Sequence, residues 1–353
     1  MKNIKHSIVQ LSVYSVSQDQ SLIKLNQNES PFDIPEEIKN EIFNRVKKAC
    51  WNRYPSQGDD SLIKKISSYT DYPSSGIMVG NGSNELIQTL IYSVCDSKDP
   101  ILTVRPGFSI YKRVSSVMNI KVKEVFLKYD FGFDANEILE KSKNVKMIVL
   151  CSPNNPTGTI LKIKDIEKIT RNFQGLVVLD EAYYEFSKKT AQKLIEKFNN
   201  LIILRTFSKA LGLAGIRLGY LLGDEEVVRD LSKAKLPFSL GVFQQLSGEV
   251  ILEKKEFIKQ RANLIIKERN WLFKELEKIK SIHPVPSFAN FILFETHGLS
   301  GKDTYQNLLD EGVLIRTFDD PLLENMLRVT VGTHEENEEF LRKLKKTAQG
   351  DER

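Results

Sequence analysis

The chain has 353 residues, 41% of them hydrophobic and 27% charged, a composition that suits a globular protein of about two domains. Its net charge of +5 comes from 51 Lys and Arg against 46 Asp and Glu, spread rather than clustered, which argues against nucleic acid as a partner. Three scattered cysteines and four histidines give neither a disulfide framework nor metal spacing, and no apolar run reaches membrane-spanning length or forms a signal region. A cytoplasmic protein with no metal and no membrane partner is expected.

Residues 1–30 read as a polar arm with short apolar pieces, with Tyr14 set among small residues. A loop follows around Asn26, Asn28 and Pro31, then a helix over 35–49 with Ile38, Ile42 and Val46 at helical spacing. Arg53-Tyr54-Pro55 opens a second loop, and 61–69 is a short helix. The strand 77–79 runs through a glycine loop carrying Ser83 and Asn84 into a helix over 86–94. Such a helix start, rich in backbone N–H groups, is an anion site. It lacks the lysine of a P-loop and the spacing of a dinucleotide fingerprint.

Strands at 101–104, 122–127, 145–150 and 176–179 alternate with helical stretches, with Phe108 in the turn after the first of them. The run after 150, Cys151-Ser152-Pro153-Asn154-Asn155-Pro156, cannot continue a sheet, so Asn155 sits past a strand end. The alternation predicts an α/β fold with a mostly parallel sheet. In such sheets, sites gather at the strands' C-terminal ends, where Asn155, Asp180 and Lys209 each fall. One long helical stretch at 242–279 leads into strands at 290–294, 313–316 and 327–331, a helix at 300–311 and a last helix from His334. The expected division is an N-terminal arm (1–30), a large domain (31–240) and a small C-terminal domain (241–353).

Residues 204–220, LRTFSKALGLAGIRLGY, carry the chemistry. A lysine at the end of a buried strand is a costly place for a charge. Burial and nearby cations lower its pKa and make the amine a nucleophile toward carbonyls. The hydroxyls of Thr206 and Ser208 and the guanidinium of Arg217 suit a phosphate dianion. A Schiff-base lysine beside a phosphate cup is what pyridoxal 5'-phosphate requires, and Asp180 suits its pyridine nitrogen. Tyr183 and Asn155 suit the ring oxygen, and Phe108 a ring face. Each residue alone also has a bland reading, as a cap, a turn former or core.

These pieces, together with KLNQNESPF (24–32), RYPSQG (53–58), GNGSNELI (80–87), CSPNNPTGT (151–159), DEAYYEF (180–186), ANFILF (289–294) and LRVTVGTHEEN (327–337), span nearly the whole chain. In that order the sequence resembles the class I/II, fold type I, pyridoxal phosphate-dependent aminotransferases, and among them the histidinol-phosphate aminotransferases. The resemblance implies that Lys209 is the Schiff-base lysine and proton shuttle, with Asp180 on the ring nitrogen and Asn155 and Tyr183 on the ring oxygen. It puts Ser83, Asn84, Thr206, Ser208 and Arg217 on the cofactor phosphate and Phe108 on the ring. Tyr54 would reach the cofactor phosphate of a neighbouring subunit, which implies a homodimer. Tyr14, Asn28, Arg316 and Arg328 fall in substrate-binding positions, Arg328 on the carboxylate of glutamate or 2-oxoglutarate and, with Arg316, on the phosphate of histidinol phosphate.

Four departures stand out: Phe108 where Tyr is frequent, Asn84 where Asp is common, an arm lacking the usual Pro and Gly after Tyr14, and Ser239 where Asn usually follows the Pro-aromatic pair. They leave the cofactor chemistry intact and bear on the substrate. The implied reaction is amino-group exchange between glutamate/2-oxoglutarate and a small phosphorylated partner, in first place histidinol phosphate. An aminotransferase for another keto-phosphate, or a pyridoxal phosphate-dependent decarboxylase, would use the same core residues. A non-catalytic ligand sensor is the reading from a different class, and retention of both Lys209 and Asp180 speaks against it.

Overall fold

The computed structural model describes residues 3–13, 22–55 and 60–350. Its strands, in chain order, are β1 (Ile23–Lys24), β2 (Ile77–Gly80), β3 (Ile101–Arg105), β4 (Val122–Phe126), β5 (Met147–Cys151), β6 (Leu176–Asp180), β7 (Leu201–Thr206), β8 (Gly219–Leu222), β9 (Ile282–Pro284), β10 (Phe291–Thr296), β11 (Val313–Leu314) and β12 (Met326–Thr330). Seven of them form one sheet in the order β2-β8-β7-β6-β5-β3-β4. The β7-β6-β5-β3-β4 ladder is parallel, and only β8 runs against its neighbours.

The central strands are apolar up to their ends, as strands buried on both faces are, with Asp180, Arg205 and Thr206 at those ends. MIVLC, LIILRT and all but the first residue of LVVLD are buried. The chain order reverses at β3 and β5, which makes their C-terminal ends the switch point where a ligand crevice opens. The expected α/β architecture with a mostly parallel sheet is therefore the one observed.

A second apolar cluster lies toward the C-terminus, on the antiparallel sheet β12-β10-β9 and the helix His334–Gly350. The 2-residue strands β1 and β11 pair in parallel beside it, bringing residue 23 against residue 313. The stretch expected as one helix is two, Val242–Glu253 and Lys255–Glu277, parted at Lys254, whose ψ of 48° departs from the helical range. The second helix spans both cores: Ile258, Ala262 and Ile265 pack in the first, Leu272 and Leu276 in the second. β11 ends at Leu314, shorter than the expected strand, and Arg316 makes only a single bridge to Arg328.

Candidate active site

Phe108, Asn155, Asp180 and Lys209 stand at or just past the C-terminal ends of β3, β5, β6 and β7, and the segment 26–28 reaches Lys209, Tyr183 and Arg328 through hydrogen bonds. Lys209 Nζ donates to the Gln27 carbonyl at 2.9 Å. Burial, reinforced by the positive charges of Arg328, Arg217 and Lys24 and opposed by Glu29, lowers its pKa from the ordinary 10.5 to about 7. Lys209 as a residue is half-buried. The result is an amine whose pKa is brought down to near physiological pH.

Asp180 is buried, and desolvation raises its pKa to about 6 against the lowering effect of two donors. The Tyr111 hydroxyl donates to Oδ2 at 2.7 Å and the Ala182 N–H to Oδ1 at 3.0 Å. Tyr111 is not among the residues that the sequence pattern singles out. Its signal was the i, i+3 spacing from Phe108 at the start of the helix Ser109–Val117. The two rings pack edge to face at 5.4 Å, so one residue steadies both the proposed stacking ring and the carboxylate.

Tyr183 is buried and its hydroxyl accepts from Asn28 Nδ2 at 3.0 Å and Asn155 Nδ2 at 3.2 Å. Burial holds the phenol well above its usual range, so it keeps its proton and, with its lone pairs engaged, presents it as a donor. Asn155 Oδ1 accepts from Arg328 Nη1 at 2.5 Å, and Arg328 Nη2 reaches the Asn26 carbonyl at 2.7 Å. Arg328 and Arg316 exchange both backbone hydrogen bonds, at 2.9 and 3.0 Å. Residues opposed in an antiparallel bridge carry their side chains on the same face, so the Arg316 side chain leaves the backbone on the side of Arg328.

At the other end, the helix Gly82–Val94 starts four residues earlier than expected, which puts Ser83 and Asn84 in its first turn. Glu85 turns back to accept from the Asn81 N–H at 2.5 Å and from Ser239 at 3.2 Å, fixing that turn. Gly82 has φ +73°, and a Cβ there would lie 2.6 Å from Arg217 Nη2; a Cβ on Gly219 would lie 2.5 Å from the Ser83 nitrogen. Arg217 itself sits at φ +59° and donates to Ser208 Oγ at 3.2 Å, while Thr206 Oγ1 accepts from the Ser208 N–H at 3.1 Å. A residue other than glycine in this backbone region is strained, and the surrounding contacts must hold it. Helix N–H groups, the hydroxyls of Ser83, Thr206 and Ser208 and the Arg217 guanidinium supply donors that fit a phosphate, while the nearby Glu85 carboxylate is turned onto the Asn81 N–H and Ser239.

One sequence candidate is not part of this cluster: Tyr54 is 81% exposed and stacks on Phe238 at 4.5 Å. Tyr14 lies outside the described residues. Cys151 neighbours Asp180 in the sheet, but burial pushes its thiol up and it donates to the Pro153 carbonyl, so it is no nucleophile.

The sheet order, the crevice and the strand-end lysine and aspartate are those of a fold type I pyridoxal phosphate-dependent transferase. The solved structure of histidinol-phosphate aminotransferase from Clostridium acetobutylicum superposes with a TM-score of 0.86 at 26% identity, over 93% of this chain and 100% of that one. The Sinorhizobium meliloti histidinol-phosphate aminotransferase in complex with pyridoxal-5'-phosphate gives 0.90 at 20% identity, over 99% and 98%, a likeness of fold. The chain belongs to the aminotransferases of class I and II, whose family model it matches over residues 20–344. It is also 37% identical to the histidinol-phosphate aminotransferase of Clostridium novyi (strain NT) across 94% of this chain and 93% of that one.

Proposed function

We propose that this protein is a homodimeric histidinol-phosphate aminotransferase that exchanges an amino group between glutamate/2-oxoglutarate and histidinol phosphate/imidazole acetol phosphate. The observation that carries the reading is the crevice itself: an amine of lowered pKa faces a tyrosine donor, with an arginine pair at one end and a phosphate-type donor set at the other. Names of relatives support the substrate, and the paired arginines suit an anionic one.

Pyridoxal phosphate, when bound, supplies a ring that takes up the electrons developed at the substrate carbon. Ser83, Asn84, Thr206, Ser208 and Arg217 would hold its phosphate, and Asp180, steadied by Tyr111, would pair with the ring nitrogen. Tyr183 and Asn155 would serve the ring oxygen and Phe108 a ring face. Lys209 Nζ would hold the cofactor and move a proton at the substrate carbon, a role that a pKa lowered to about 7 suits. Arg328 grips the substrate carboxylate, and Arg316 with Arg328 orients the phosphate of the second substrate. Asn28 places Tyr183, and Tyr14 closes over the substrate.

The two apolar clusters support two cores, but they do not divide at 240/241: Val250, Ile251 and Leu252 of the helix Val242–Glu253 pack in the first cluster, the helix Lys255–Glu277 runs from the first into the second, and Leu25 of the arm packs in the second. The dimer reading is supported by a surface of exposed aromatics around a groove of about 810 Å³ lined by Phe43, Trp51, Val242 and Phe243. Trp51 is 75% and Tyr54 81% exposed, an apolar surface of the kind that another chain covers. No helix among the described residues is long and apolar enough to cross a membrane; action on small molecules in the cytoplasm is part of the proposal.

The experiment is a glutamate half-reaction followed at the cofactor's visible absorbance. Wild-type protein loses the band on adding L-glutamate, and Lys209→Ala loses turnover by the several powers of ten that a covalent and acid–base residue commands. A band unaffected by glutamate, with carbon dioxide release instead, points to the decarboxylase and rejects the proposal.

A further inference from the structure

Immediately behind the cofactor crevice lies a buried ion pair that the reaction above does not use. Glu181 follows Asp180 and Arg205 precedes Thr206; both are buried, at 1% and 2% exposure. Arg205 Nη2 and Nε reach Glu181 Oε2 at 2.9 and 3.2 Å. Thr190 locks the pair, donating to Glu181 Oε2 and accepting from Arg205 Nη2, each at 2.8 Å. The Ala191 N–H donates to the other carboxylate oxygen at 2.7 Å, and the Tyr184 ring lies 3.7 Å from the guanidinium.

The strand register explains where this pair acts. Asp180 is opposite Leu204, and Thr206 lies two residues on, so Asp180 and Thr206 share a sheet face. Glu181 and Arg205 each stand one residue along and point to the other face, where Tyr220 is opposite Arg205. The pair therefore ties the ends of β6 and β7 together from behind the two residues proposed to hold opposite ends of the cofactor. A buried ion pair is a poor device for stability, because desolvation cancels most of its attraction and apolar replacement is often neutral or better. Its geometry is directional, and that is what a span between two contact points needs.

We propose that the Glu181–Arg205 pair is a positioning element that sets the distance between the carboxylate of Asp180 and the hydroxyls of Thr206 and Ser208, and so matches the site to a ligand that bridges them. The proposal rests on the cofactor reading given above. It predicts that loosening the pair weakens a ligand held at both ends but not the fragments held at one.

The test is titration of the cofactor-free chain with pyridoxal 5'-phosphate, pyridoxal and inorganic phosphate, in the wild type and in Glu181→Gln and Thr190→Val. Thr190→Val keeps both charges and serves if Glu181→Gln does not fold. The dissociation constant for pyridoxal phosphate should rise about tenfold or more, the size that outer-shell partners of a bound group carry elsewhere. Those for pyridoxal and for phosphate should stay within about twofold, since only the linked ligand depends on the span. Unchanged affinity for pyridoxal phosphate, or an equal loss for all three ligands, overturns the proposal. Failure of the unsubstituted protein to bind pyridoxal phosphate overturns the cofactor reading and the proposal with it, and is told apart because it appears before any substitution.

Discussion

In the role proposed for it, Lys209 would meet a carbonyl as a neutral amine, because burial penalises its ammonium form and the nearby arginines repel it. Covalent capture of pyridoxal phosphate by the cofactor-free protein, fixed by borohydride and read by mass, should rise with a midpoint near pH 7; a midpoint near 10 contradicts it. The sign on stability follows. With its pKa depressed in the fold, Lys209 contributes stability that is fully present above pH 10.5 and lost as pH falls through 7. Asp180 runs the other way: its pKa is raised from 3.8 to about 6, so its contribution is present below pH 3.8 and lost as pH rises through 6. Tyr111→Phe removes a bond to that carboxylate worth about 1.5–3 kcal/mol. At about 1.4 kcal/mol per pH unit, the Asp180 midpoint should move up by about one to two pH units. The carboxyl stretch in infrared difference spectra, assigned by its loss in Asp180→Asn, measures this, and an unmoved midpoint removes Tyr111 from the site.

Among the elements, the start of the helix Gly82–Val94 is the most tightly specified. Gly82→Ala forces a left-handed backbone on a residue with a Cβ, at a cost of about 1–2 kcal/mol, and pushes that Cβ against Arg217. Affinity for pyridoxal phosphate should fall about tenfold to a hundredfold, the value of a charged hydrogen bond, with pyridoxal little affected; equal loss for both would place the phosphate elsewhere. The elements that the sequence made legible were those with a strong period or a pure apolar run, such as β5, β6 and β7. The helices Ala135–Lys141 and Glu225–Ser232 were missed because they are short, although Asp134 and Asp224 cap them through 2.9 and 3.0 Å bonds. The break at Lys254 interrupts no apolar spacing, so periodicity alone runs across it. Tyr111 and the Glu181–Arg205 pair stayed hidden for a different reason: their partners lie 69 and 24 residues away in sequence, and only strand order brings them together.

At the scale of the whole molecule, exposed Phe43, Trp51 and Tyr54 argue for a second copy as cover. Trp51→Ala should weaken the dimer by about 2 kcal/mol or more, the loss typical of a central interface aromatic, or about thirtyfold in dissociation constant. Sedimentation across a concentration series reads it, and a wild-type monomer at all concentrations contradicts the dimer. The proposed substrate site belongs to this scale too, because the residues assigned to it come from both ends of the chain, Asn28 near the start and Arg316 and Arg328 near the finish.

The most direct measurement is the second half-reaction. Protein first converted with L-glutamate is given imidazole acetol phosphate or, separately, dihydroxyacetone phosphate, and the cofactor's original absorbance is followed. Recovery with imidazole acetol phosphate alone is the predicted result; recovery only with the other keto-phosphate contradicts the assignment to histidinol phosphate.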